Sequence, residues 1–496
     1  MFIRQFQVEG LGHLSTLIGD EESGLAAVVD PRRDVDVYVE AAHERNLWIA
    51  FAIETHLHND YVSGARELAA ATGAGQAAGA EVVIGSGAGL GYGHRPMADG
   101  DVLSLGALQF QAVETPGHTP EHVAYAVADT SRAAEPLLLF TGGSLLVGAV
   151  GRTDLLGAEH ARPYAELMFH SLHDRILRHE DFVGVLPTHG AGSLCSTGIG
   201  STQTSTIGYE RRYNPLLQPA DVESFAQALL AGQPAVPRYF ARMRPTNQAG
   251  PRILGGIPAP VPLTLDELRR IVGTGGLLID LRSPRAFAAS HVSGSLSLPL
   301  GSSFGTWLGW VVDHDRPAVL ILPADSGSVD RAWDDAIRQA LRIGHESIAG
   351  YLEGGFATWT KAGLPVESNG RLNVVELASA VAEGGPNAPL VIDVRQASEF
   401  DEGHVGGAWH IGAGDLPNRL AELPRDRPIA TVCAGGYRAS VAASLLDAAG
   451  FTNVSWVAGG MDRWTADGLP VERGSGSSSG AVETAVPSGE HGHAHS

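Results

Sequence analysis

The sequence predicts an α/β protein of several domains, and three observations carry that reading. The chain has 496 residues, one module occurs twice in its C-terminal half, and the N-terminal half has apolar runs that end in histidine, aspartate or glycine-rich turns. A single hydrophobic core stops growing well short of this length, so roughly three domains are expected.

The repeat is direct. Residues 275–300, GGLLIDLRSPRAFAASHVSGSLSLPL, match 388–413, APLVIDVRQASEFDEGHVGGAWHIGA. The endings match as well, GYLEGGFATWTKAGLPVE against SWVAGGMDRWTADGLPVE. Each copy starts with a short apolar run closing on an acidic residue, LLID or LVID, then alternates helical patterns with further apolar runs, AVLIL or IATVC. That alternation is the signature of a parallel sheet with helical crossovers.

In the first half, LAAVVD, IAFAIETH, AEVVIG, LQFQAVETPGH, PLLLFTGG and FVGVLPTHG read as strands. Residues 207–262, with PAVPRY, NQAGP and IPAPVP, read as a helix and an irregular connector. From 475 to 496 the composition is that of a disordered tail, ending in His491, His493 and His495.

Composition excludes some partners. Hydrophobic residues make up 44% and charged residues 18%, as in ordinary globular proteins. The formal net charge of -21 repels a phosphate backbone, so nucleic acid is not an expected partner. The opening MFIRQFQVEG lacks the pattern of a signal peptide and no apolar run is long enough to span a bilayer, so the expectation is a cytoplasmic protein without a membrane. The two cysteines, Cys195 and Cys433, are expected as free thiols.

Candidate metal ligands cluster in turns: His56, His58 and Asp60 in THLHND, His118 in TPGHTPEH, and His189 in PTHGAG. Imidazole suits zinc and iron, and turns after strands can aim several side chains at one point.

THLHNDYVSG, TPGHT, FTGG-x-LLVGAVGRTDL, PTHGAG and STIGYERRYNP occur in the order of the metallo-β-lactamase superfamily, and over about residues 1–245 they most resemble its persulfide dioxygenase branch. The resemblance implies an αββα sandwich and one Fe(II) held by two histidines, His56 and His118, and one aspartate. The aspartate's turn here reads Thr141, Gly142, Gly143, so the expected carboxylate is missing; Tyr61 also stands where the two-metal hydrolases carry a histidine. Three arrangements stay open. His56, His58 and His118 form a three-histidine site, with zinc as the alternative ion; Asp60 or Asp154 supplies the oxygen ligand to iron; or the histidines hold nothing. His189 is a further candidate ligand, and Cys195, in HGAGSLCST, is a candidate sulfur relay.

In the last module, a cysteine at a strand end is followed by a tight loop and a helix, CAGGYRAS then VAASLLDAAG. Such a thiol sits among backbone N–H groups at the positive end of a helix dipole, which favours its thiolate. Asp393, Arg395, Gly403–Val405, the loop Cys433–Arg438, Gly459, Gly460 and Trp464 resemble the rhodanese sulfurtransferases. The resemblance implies that Cys433 is the nucleophile, that Ala434, Gly435, Gly436 and Tyr437 cradle its persulfide, and that Arg438 supplies a cation. The middle module keeps Asp280, Arg282, His291 and Trp359 but has no cysteine, so a packing role between the other domains is expected.

The expected organisation is therefore a metallo-β-lactamase-like sandwich over 1–245, a rhodanese-like domain without nucleophile over 262–369, a rhodanese domain over 372–474, and the tail. The expected partners are low-molecular-weight thiol persulfides, thiosulfate or other sulfane-sulfur donors and acceptors, with a homo-oligomer open. The expected activity is sulfane-sulfur transfer, joined to O2-dependent persulfide oxidation to sulfite. The alternatives are a sulfurtransferase on an inert scaffold and a zinc thioester hydrolase.

Overall fold

The computed structural model describes residues 1–73, 79–324 and 327–474; the tail, with its closing histidines, lies outside the described residues. The chain divides into two compact units, Met1–Asn369 and Gly370–Ser496.

The first unit opens with two facing six-stranded sheets. One runs in chain order through Phe2–Val8, His13–Asp20, Leu25–Val29, Trp48–Ile53, Glu81–Gly85 and Arg95–Met97. The other takes the order Ser205–Thr206, Gly184–Pro187, Leu138–Gly142, Val123–Asp129, Leu108–Glu114, Val102–Leu105. Their inner faces meet through Ile18, Val29, Ile53, Phe110, Tyr125 and Phe140. Helices Asp36–His43 and Ala65–Gly73 cover the outer face of the first sheet, and Ala158–His170 with Val222–Leu230 cover the second. This is an αββα sandwich, and a strand such as Val123–Asp129, VAYAVAD, carries no charge before its last residue because both its faces are buried.

The connector is more ordered than its prolines suggest. Besides Ile207–Tyr213 and Val222–Leu230 it forms a helix Phe240–Ala249, which accommodates Pro245. Asn247 on that helix accepts from the Ser63 N–H and donates to the carbonyls of His58 and Tyr61, clamping the histidine turn.

The two repeats each form a five-stranded parallel sheet with the same spatial order. The first is Pro262–Leu263, Ile348–Leu352, Ala318–Ile321, Leu277–Asp280, Leu296–Ser297; the second is Gly370–Asn373, Val454–Ala458, Ile429–Val432, Leu390–Asp393, Trp409–His410. Their shared residues are structural. His291 and His404 donate from Nδ1 to the carbonyls of Phe287 and Phe400 at 2.9 Å and stack on those rings. Asp280 pairs with Arg282 as Asp393 does with Arg395, and the indole N–H of Trp359 or Trp464 donates to a proline carbonyl.

The middle module docks on the sandwich within the first unit. Arg342, on helix Val329–Arg342, forks onto buried Asp34 at 2.9 and 2.6 Å, and Arg338 forks onto Asp36 at 2.7 Å. The Arg342 carbonyl accepts from the Val62 N–H beside the histidine turn. No described helix is long and apolar enough to cross a membrane.

Candidate functional site

The N-terminal histidines converge. The strand Trp48–Ile53 delivers His56 and His58, the turn before Val123–Asp129 brings His118 and His122, and the turn after Gly184–Pro187 brings His189. A bridge between His13 and His189 ties the two sheets together at this point. All five are buried, with ring centroids of His56 lying 4.2 Å from His58, 4.9 Å from His118, 5.0 Å from His122 and 5.4 Å from His189.

Hydrogen bonds fix the tautomers. A carbonyl can only accept, so Nδ1 of His118 donates to Arg152 O at 2.7 Å and its Nε2 keeps a lone pair, with no partner among the described residues. The Gly143 N–H donates to His122 Nε2 at 2.9 Å, so the other nitrogen of His122 donates to Thr115 Oγ1 and the ring is fully engaged. Thr55 spends its one hydroxyl hydrogen on Asp30, so it accepts from His56 Nδ1 at 2.8 Å. Nε2 of His56 thus keeps its lone pair, 3.4 Å from His189 Nε2.

Electrostatics separate the rings. Burial pushes His118 down to about 3 and His56 and His122 well below the usual histidine range. His58 goes the other way: burial opposes its charge, but Glu54 at 2.7 Å and Asp30 at 3.3 Å raise it to about 9. His189 goes up despite burial, through Cys195 and the Asp60 carboxylate 3.2 Å away. Cys195, buried beside them, is a neutral thiol pushed up by burial and by Asp60.

Cys433 stands at the end of strand Ile429–Val432, and helix Tyr437–Ala448 begins within its loop. The N–H groups of Gly436 and Ala439 donate to Sγ at 3.1 and 3.4 Å. The opposite rim is held by the turn at Gly459–Gly460, where Met461 and Asp462 donate to the carbonyls of Cys433 and Ala434 at 2.7 and 3.1 Å. A Cβ at Gly460 would stand 2.1 Å from the Cys433 carbonyl oxygen, so only glycine lets the two loops close. Arg438 is not free: it forks onto Glu399 at 2.6 and 2.7 Å, which holds that carboxyl below its usual range despite burial. The expected stabilisation of the thiolate is only partial. Burial pushes the Cys433 thiol up, and Arg438 and the loop N–H groups pull against it without winning.

Comparisons with known proteins agree with this fold. The rhodanese-like domain model matches residues 264–362 and 374–467. The crystal structure of a metallo-beta-lactamase from Staphylococcus aureus superposes with a TM-score of 0.62 at 30% identity, covering 71% of this chain and 98% of that one. The mitochondrial persulfide dioxygenase ETHE1 of Bos taurus is 30% identical over 208 residues, 40% of this chain and 70% of its own. The chain belongs to the persulfide dioxygenase family. The human ETHE1 enzyme is 29% identical over 206 residues, again 40% of this chain and 70% of its own. This family member adds two rhodanese-like domains to the ETHE1-like region, and it is an enzyme of sulfur metabolism.

As a persulfide dioxygenase relative it should seat iron on two histidines and a carboxylate, and its residues do not fit that set. Where the carboxylate should stand, a Cβ on Gly143 would meet His118 Cδ2 at 2.2 Å. Asp154 cannot substitute, because Arg152 takes both its oxygens at 2.6 and 2.8 Å. Nor does Asp60, which faces His189. Two of the convergent ligand groups among the described residues are His56–His58–His189 and His118–His189–Cys195, each within 4.8 Å, so His56 and His118 fall in different groups. The three-histidine set of His56, His58 and His118 is not among the convergent groups either, and Nε2 of His58 is engaged by Glu54 and Asp30 while its Nδ1 has no partner among the described residues.

Several residues of the site escape sequence reading. His122, four residues after His118, fills the space next to Gly142 and Gly143, and His13 Nε2 donates to the Asp30 carbonyl at 2.9 Å. Glu54 and Asp30 form the carboxylate pair that charges His58. The second histidine of TPGHTPEH and Glu54, four residues before His58, offered local signals; His13 and Asp30 are brought in from other strands.

Proposed function

We propose that this protein transfers sulfane sulfur through a persulfide on Cys433. One observation carries the reading: Sγ lies in a closed loop whose N–H groups of Gly436 and Ala439 point at it, a cradle that fits a sulfur atom carrying negative charge.

The chemistry follows from those positions. The Cys433 thiolate attacks the outer sulfur of a donor such as thiosulfate or a thiol persulfide. The donor S–S bond breaks, its electron pair leaves with sulfite or a thiolate, and a Cys433–S–S⁻ persulfide remains. An acceptor thiolate or cyanide then attacks the terminal sulfur and restores the Cys433 thiolate, so no external oxidant is needed. Because burial opposes the thiolate, the loop amides and Arg438 contribute most once the anion forms, and Glu399 keeps Arg438 in place. The middle module has no such nucleophile and its helix Val329–Arg342 serves to dock it on the sandwich.

The test is a single-turnover reaction of the full chain with thiosulfate, followed by mass spectrometry. One added sulfur on the peptide containing Cys433, removed by cyanide as thiocyanate, supports the reading; an unmodified Cys433 under turnover contradicts it.

A further inference from the structure

We propose that the N-terminal domain holds one zinc ion on His118, His189 and Cys195, a set in which a thiolate takes over the role of the carboxylate missing at Gly143. One ligand atom from each of the three side chains lies within 4.8 Å of the others, and all three are buried. His118 offers an unprotonated Nε2 with no partner among the described residues, a lone pair kept dry for nothing else in the fold.

The outer contacts are those a metal-bound imidazole uses. The second nitrogen of a ligating histidine ordinarily donates to a carbonyl or a carboxylate, which fixes its ring. Here His118 donates to the Arg152 carbonyl at 2.7 Å, and Nδ1 of His189 lies 3.2 Å from Asp60 Oδ2. The same Arg152 reaches the third ligand's loop, since its N–H donates to the Cys195 carbonyl at 2.8 Å. Both Asp60 oxygens are buried without a hydrogen bond of good geometry among the described residues.

Charge and softness choose the ion. One thiolate and the Asp60 carboxylate balance a divalent cation in this buried place, where an unbalanced charge is costly. Two imidazoles and a thiolate suit zinc, whereas the oxygen-activating ferrous site needs a hard carboxylate face with open positions. On binding, the Cys195 thiol and His189 give up protons to solvent. The competing group His56–His58–His189 draws on the same His189 and brings no anionic ligand to balance a buried divalent cation.

The experiment uses the full chain carrying Cys433→Ser, in which Cys195 is the sole thiol, loaded with Co²⁺ alone. The expected result is one equivalent of cobalt with a sulfur-to-cobalt charge-transfer band in the near ultraviolet, bleached mole for mole by Zn²⁺. The tail histidines cannot produce that band. Cobalt bound without it, no uptake, or a band that survives when Cys195→Ser is added would each overturn the assignment. The readout is independent of sulfur transfer at Cys433, so either reading can fail without the other.

Discussion

The imidazole of His118 fills the space into which a side chain at Gly143 would grow, with a Cβ at Gly143 only 2.2 Å from His118 Cδ2. The ring cannot simply swing aside, because its Nδ1 is held by the Arg152 carbonyl at 2.7 Å.

Restoring the family's aspartate here should therefore fail to restore an iron site. Gly143→Asp is expected to lower stability by about 1–3 kcal/mol through overpacking, with no gain in iron content or persulfide-dependent oxygen uptake. Gly143→Ala should show the same loss of stability in a thermal melt, since the clash begins at Cβ. A stable Gly143→Asp protein that takes up stoichiometric iron would show that His118 yields.

Removing the nucleophile should end sulfur transfer. Cys433→Ser keeps the loop's shape but offers a hydroxyl that stays protonated at neutral pH, and thiosulfate-to-cyanide transfer should fall by on the order of 10³-fold or more. Turnover at the wild-type rate would remove the assignment.

Arg438 and Glu399 should move the Cys433 titration in opposite directions. Arg438→Ala deletes the cation that opposes burial, so the thiol should titrate at higher pH; Glu399→Gln leaves that cation uncompensated, so it should titrate at lower pH. The pH dependence of alkylation at Cys433, read by peptide mass spectrometry, measures both. Identical profiles in the three proteins would mean that the guanidinium does not act on sulfur.

His58 makes the fold pH-sensitive. Its folded-state value of about 9 lies above the ordinary 6.5, so its stabilisation is complete below about pH 6.5 and is lost as pH rises through 9. At pH 6, His58→Gln should cost about 3–5 kcal/mol, because Asp30 and Glu54 are left buried without their cation. The gap between the two melting curves should narrow toward pH 9.5; a gap that widens with pH would refute the imidazolium.

The docked module should matter to the sandwich through one ion pair. Arg342→Ala leaves buried Asp34 with Arg32 at 3.1 Å and Arg338 at 3.5 Å, so the loss should fall near the lower end for a broken buried pair, about 3 kcal/mol in urea unfolding.

The sequence by itself determined what is contiguous along the chain. The repeat, its parallel-sheet alternation, the missing cysteine of the middle copy, the Cys433–Arg438 loop and the lost carboxylate at Gly143 are all readable because each is a local pattern or a single position. The strand-like runs ending in histidine were legible for the same reason. Tertiary structure alone decided which nitrogen of His56, His118 and His122 carries a proton, that His58 is raised while His118 is lowered, and that Cys195 stands beside His118 and His189. It also decided that burial outweighs Arg438 and the loop N–H groups at Cys433. Those properties depend on through-space distance and on exclusion of water, and the groups that set them for His58, Asp30 and Glu54, arrive from two different strands, with Asn247 closing the turn from almost two hundred residues away.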